Sequence, residues 1–210
     1  MKRFLILGVA LALMAVMATG ASAAERKGTF GVSVGGGVGI PMGAFSDESK
    51  LGWRAGSVGF GYFVTDQIAI GAQGAFAQNK AKDEVLTTFG FTDAKTRLIE
   101  FGALAKYFFK MQSQKVAPYV KLGLGGNSAK FEVTDTTGGT STTSDTSITF
   151  LGGNLGVGAL FDVTPTVSVF VEGAFHNYAK KDSQPLNYIA PQVGVVFRFG
   201  GPTAVDGGTE

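Results

Sequence analysis

One histidine, His176, and no cysteine in 210 residues narrow the chemistry open to this chain. Hydrolysis needs a nucleophile, a base and an orienting acid within hydrogen-bond reach, and the run His176-Asn177-Tyr178 places no serine beside the imidazole. A lone imidazole without thiolates also falls short of a transition-metal ligand set. The acidic residues Asp47-Glu48, Asp83-Glu84 and Asp93 lack the spacing of a calcium loop and read as solvated charge. Gly35-Gly36-Gly37 is followed by neither the lysine nor the helix of a phosphate-binding loop. The sequence therefore assigns no catalytic residue, no metal and no cofactor, and His176 reads as a histidine at a strand end. The candidate site is instead a set of ionisable side chains at alternate positions: Glu100, Lys106, Lys121, Glu172 and Arg198.

The elements that must hold those residues are strands. In Gln192-Val193-Gly194-Val195-Val196-Phe197-Arg198-Phe199, apolar residues recur at every second position, which gives a strand two unlike faces. The same period marks 29–40, 53–63, 68–77, 97–108, 118–127, 149–161, 167–176 and 188–199. The usual length of these segments, about 9–11 residues, is what a tilted strand needs to cross a bilayer. The even number of segments suits closure by antiparallel neighbours. Connectors alternate in kind. Those at 64–67, 109–117 and 162–166 are compact, whereas those at 41–52, 78–96, 128–147 and 177–187 are longer and polar. The run Thr136–Ser147 has almost no apolar surface and reads as a mobile solvated loop. No amphipathic helix stands out.

Ahead of the strands, Met1-Lys2-Arg3, the apolar run 4–18 and Ala21-Ser22-Ala23 have the order of a secretory signal peptide, assigned to 1–23. The chain carries 18 Lys+Arg and 16 Asp+Glu; removing Lys2 and Arg3 leaves 16 of each, so no basic surplus for nucleic acid survives. Residues 28–199 form the expected β-domain and 200–210 a disordered tail.

A sheet crossing lipid must pair all its backbone polar groups and therefore close, giving one lipid face and one lumen face. Uncharged residues such as Val34, Phe60, Ile70, Phe101, Leu122, Leu155, Phe161, Phe175, Val193 and Phe197 fall on the first face. Glycines and the five charged residues fall on the second. Eight strands enclose barely enough room for side chains, which explains 32 glycines in a chain otherwise patterned as strand. Charges in such an interior should pair, with Glu172 as the expected partner of Arg198 or of a lysine. Aromatics at the short-turn ends, among them Phe63, Phe108, Tyr119, Phe197 and Phe199, should form an interfacial girdle.

On these residues the chain resembles the small outer-membrane β-barrel proteins of Gram-negative bacteria, porin-like or opacity-type surface proteins. Gly59–Ile70 is similar to that family's second strand, periplasmic turn and third strand, and Pro118–Gly125 to its fifth strand. Gln192, Gly194, Phe197 and Phe199 are similar to the assembly signal of a final barrel strand, although here the chain continues to Glu210. His176 resembles in position the histidine of lipid A deacylases, but their serine two residues later is Tyr178 here. The resemblance implies an all-β, closed eight-stranded antiparallel barrel in the outer membrane, non-enzymatic and without cofactors. Implied partners are outer-membrane lipid and lipopolysaccharide, with barrel-assembly machinery and periplasmic chaperones during insertion. The reading is a structural or surface-interaction, adhesin-like role through the four long loops, whose host or surface ligand the sequence does not identify. Two other readings stay open: a narrow channel for small or hydrophobic solutes, and a lipid A-modifying hydrolase.

Overall fold

A computed structural model describes residues 26–111, 115–137, 140–179 and 185–200. The signal segment at 1–23 and the tail beyond Gly200 lie outside them. The chain forms β1 (Phe30–Met42), α1 (Ala44–Glu48), β2 (Gly52–Phe63), β3 (Ile68–Lys80), α2 (Asp83–Phe89), β4 (Asp93–Phe108), β5 (Val116–Thr137), β6 (Thr140–Asp162), β7 (Val167–Ala179) and β8 (Leu186–Phe199). The strands pair in chain order as a closed antiparallel barrel, with β8 returning to β1 from Phe30↔Phe199 to Met42↔Asn187.

Each expected strand is present, and the differences lie at the long-loop rim. There β4 begins at Asp93 instead of Arg97, β7 runs to Ala179, and β8 starts at Leu186. The largest difference is at Thr136–Ser147, expected as a solvated loop. Here β5 and β6 extend to 22 and 23 residues and stay paired up to Thr137↔Thr140. Its β-branched threonines favour the extended backbone of such a hairpin. Thr134 and Thr143 meet through their hydroxyls at 3.2 Å. Strands of this length exceed a bilayer crossing by about ten residues, or roughly 35 Å of projecting arm. Two short helices, α1 and α2, occupy connections read as long polar stretches. Gly90, with φ 72°, caps the second in the left-handed conformation that glycine adopts without strain.

The outward faces are apolar as expected: Val34, Phe60, Ile70, Phe101, Leu122, Leu155, Phe175, Val193 and Phe197 are exposed. Phe161, assigned to the same face, is buried, between its register partners Val116 and Val169. Phe63, Phe108 and Tyr119 depart from the girdle expectation. They lie on the inward parity and are buried within the barrel. Phe197 and Phe199 are exposed on the outside.

The first described residues are clamped to the short-turn rim. Backbone amides of Arg26 and Lys27 donate to Asp66 Oδ1 at 3.0 and 2.9 Å, and Gly28 N–H donates to the Phe63 carbonyl at 2.8 Å. The Lys27 amide foremost, then that of Arg26, holds the Asp66 carboxyl below its ordinary value of 3.8. A carboxyl lowered in the folded state contributes its stability above the unfolded pKa and loses it as pH falls through the folded value. Asp66→Asn at neutral pH is therefore expected to loosen residues 26–29. Trypsin at neutral pH should then cut after Lys27 faster than in the parent. Equal cleavage rates at neutral pH would count against the clamp.

Candidate functional site

Strand β7 serves as a ruler for the interior. Its inward residues, from the short-turn rim outward, are Ser168, Phe170, Glu172, Ala174, His176 and Tyr178, all buried. Each marks a layer of distinct chemistry.

At Ser168 the layer is ionic. Asp162, the last residue of β6, accepts Arg26 Nη2 at 2.7 Å, Arg198 Nη1 at 2.9 Å and the Ser168 hydroxyl at 2.7 Å. Arg198 also donates to the Pro165 carbonyl at 3.1 Å. The expected Arg198–Glu172 pair is thus replaced. The two residues belong to different layers, and Asp162, read as part of a turn, is the closer acid.

At Phe170 the layer is apolar, with Phe63, Phe108, Tyr119, Leu160 and partly buried Val196 packed together. Phe108 lies 5.4 Å from Phe63 and 5.2 Å from Tyr119, ring centre to ring centre. Glycine makes room for these rings. A Cβ on Gly158 would sit 2.7 Å from the Tyr119 ring, and one on Gly35 would sit 2.8 Å from Phe170. A cavity of about 60 Å³ remains beside them, reached by Gly31, Ser33, Gly61 and Lys106.

At Glu172 the lumen is again ionic. The carboxylate pairs with Lys121, lies 3.3 Å from Lys106 Nζ, and accepts the Tyr119 hydroxyl at 2.8 Å and Gln192 Nε2 at 2.7 Å. Lys106 also sits 4.4 Å from the centre of the Tyr119 ring, a favourable cation–π arrangement.

At His176 a second carboxylate, Glu100, pairs with Arg54 through both oxygens and accepts the Tyr188 hydroxyl. His176 Nδ1 approaches Glu100 Oε2 at 3.3 Å without hydrogen-bond geometry, and its ring stacks on Tyr188 at 4.5 Å and 10°. The histidine read as a strand-end residue is 1% exposed, because β7 continues beyond it. Above it, Leu98, Ala129, Phe150, Tyr178, Leu186 and Phe45 of α1 close the outer end with an apolar layer.

All five charged residues expected in the lumen are inward, but they divide among three layers. Sequence reasoning missed Arg54, Asp162 and Arg26 as their partners. Arg54 has a specific cause. The β1–β2 and β2–β3 registers shift around Gly56, whose φ is 68°. Such a bulge reverses the alternation beyond it and turns Arg54 from the lipid face to the lumen. A glycine inside an alternating strand is the signal that could have shown it.

The family model described as outer membrane protein beta-barrel domain matches residues 9–199. The chain belongs to this family. Solved outer-membrane barrels share its fold. A major outer membrane protein from Thermus thermophilus is 14% identical with a TM-score of 0.57, over 81% of this chain and 99% of that one. Neisserial surface protein A is 18% identical with a TM-score of 0.52, over 81% and 96%. OprG from Pseudomonas aeruginosa is 14% identical with a TM-score of 0.50, over 85% and 99%. A search of curated protein sequences found no significant match. As an outer-membrane barrel, the chain turns its exposed apolar band to lipid and its ionic layers inward. Its place is the outer membrane.

Proposed function

We propose that this outer-membrane barrel is non-enzymatic and acts structurally or as a surface-interaction protein through the connections on its long-loop rim. The projecting β5–β6 arm is foremost among them. The observation that carries this reading is the packed lumen: ionic and apolar layers cross it between the rims, with a cavity of about 60 Å³ beside the inner apolar one. That space suits a water molecule or two, and a larger cavity of about 230 Å³, lined by Phe45, Phe150 and Leu186, lies at the outer apolar layer above the His176 layer. His176 supports the same reading, since its ring is buried between Tyr188 and Glu100 and its Nδ1 meets no hydrogen-bond partner among the described residues. In this reading residues 1–23 are removed on export. Gln192, Gly194, Phe197 and Phe199 are presented to the assembly machinery, with Phe197 and Phe199 on the outer surface.

Conductance of the refolded protein in a planar bilayer tests the proposal. The expected result is no channel activity; reproducible single-channel steps would replace this reading with the narrow-channel one.

A further inference from the structure

The Glu172 layer is not balanced in charge. Lys106 and Lys121 share this one carboxylate, and among the described residues no other lies within ion-pair distance of either. The positions paired in register around Glu172 are uncharged: Gly158 on β6, Gln192 on β8 and, beyond it, Gly37 on β1. One positive charge is left over in the middle of the barrel, where an unpaired charge is costly. The Asp162 layer also holds two guanidinium groups. There, however, Arg198 turns its other donors to the carbonyls of Thr164 and Pro165 at the short-turn rim. No backbone carbonyl among the described residues accepts from Lys106 or Lys121.

The two lysines are served unequally. Glu172 Oε1 takes Lys121 and Gln192, while Oε2 accepts the Tyr119 hydroxyl at 2.8 Å and leaves Lys106 at 3.3 Å. The Lys106 side chain is 19% exposed, against 3% for Lys121, and it lines the cavity of about 60 Å³. An ammonium carries three donors. Glu172 and the Tyr119 ring face two sides of it, and the cavity can supply a partner for the third. The Ser33 hydroxyl lines the same cavity without a hydrogen-bond partner among the described residues. No carboxylate lines this space, and most of its wall is apolar or glycine, as at Gly61, Phe63 and Leu104. An ammonium and a hydroxyl donor in an otherwise apolar cavity select an anion. Water would fill the same space and hydrogen-bond to both groups, but it would leave the charge standing. Room for a water molecule or two excludes phosphate, sulfate and organic acids and admits a single-atom halide.

We infer that this cavity binds a halide ion, held by Lys106 Nζ and the Ser33 hydroxyl, which neutralises the surplus charge of the Glu172 layer. The inference does not depend on what the long-loop rim binds.

The full chain would be refolded into phosphatidylcholine vesicles, and its urea unfolding followed as sodium bromide replaces sodium gluconate. Constant ionic strength holds charge screening fixed. Once the site is full, each tenfold rise in bromide should raise the folding equilibrium constant about tenfold, as for any ligand bound only by the folded state. Lys106→Met keeps the length of the stem and leaves Glu172 with Lys121, Tyr119 and Gln192. It should make stability independent of bromide. Ser33→Ala keeps the charge and should weaken halide affinity about three- to tenfold, and it carries the test if Lys106→Met does not fold. Crystals grown in bromide should show an anomalous peak within hydrogen-bond distance of Lys106 Nζ. Equal stability in bromide and gluconate would overturn the proposal and leave the cavity to water. So would a bromide dependence unchanged in both variants, or an anomalous signal confined to the outer surface.

Discussion

Glu100→Gln is expected to destabilise the barrel by about 3–5 kcal/mol, the usual consequence of removing one partner from a buried ion pair. Arg54 and Glu100 are both almost fully buried, and Arg54 Nε already has no hydrogen-bond partner. An amide keeps the volume and one acceptor oxygen, but it leaves the guanidinium charge uncompensated, and arginine cannot relieve the strain by releasing its proton. The measurement is urea-induced unfolding in lipid vesicles, or the temperature at which the folded gel mobility is lost. Because desolvation offsets much of a buried pair's attraction, Arg54→Met with Glu100→Leu should recover most of the loss. A single variant as stable as its parent would show that Glu100 does not hold Arg54.

Glu172→Gln should produce a loss of similar size with a different pH signature. Glu172 compensates two lysines, and those lysines, Lys106 and Lys121, are register partners on β4 and β5. Without the carboxylate they repel one another as like charges on paired strands. Lysine, unlike arginine, can shed its proton when stranded in a poorly hydrated place. The Glu172→Gln deficit should therefore shrink in alkaline buffer while the Glu100→Gln deficit persists. Equal, pH-independent deficits would argue that the two layers are not distinguished by their cations.

These outcomes turn on partners that the sequence only half reveals. Alternation identifies the strands and the inward set Glu100, Lys106, Lys121, Glu172 and Arg198, because a two-residue period is a local property. Pairing across the lumen is not local. Arg54 is hidden by the bulge at Gly56, Asp162 by its place at a strand end, and His176 by a strand longer than its apolar pattern. The inward Phe63, Phe108 and Tyr119 show a related limit. Aromatics near a rim fit both a girdle and a plug, and only strand parity counted through to the rim separates them. The Thr136–Ser147 hairpin is illegible for another reason, since low apolar content ordinarily goes with absence of order. Across this hairpin Thr134 and Thr143 still meet through their hydroxyls.

The layered lumen has a consequence for how this protein becomes folded. Arg54 on β2 and Glu100 on β4 are separated by β3, Tyr188 reaches Glu100 from β8, and Glu172 on β7 meets lysines of β4 and β5. Arg54 and Glu100, like Lys121 and Glu172, sit two strands apart on one face, whereas the Tyr188–Glu100 and Lys106–Glu172 contacts reach across the lumen and need the sheet rolled up. The cross-lumen contacts of Tyr188 and Lys106 are therefore expected to form late in assembly. Contacts formed so late act mainly on the rate of unfolding, so the same residues that seal the interior also make the completed barrel slow to come apart.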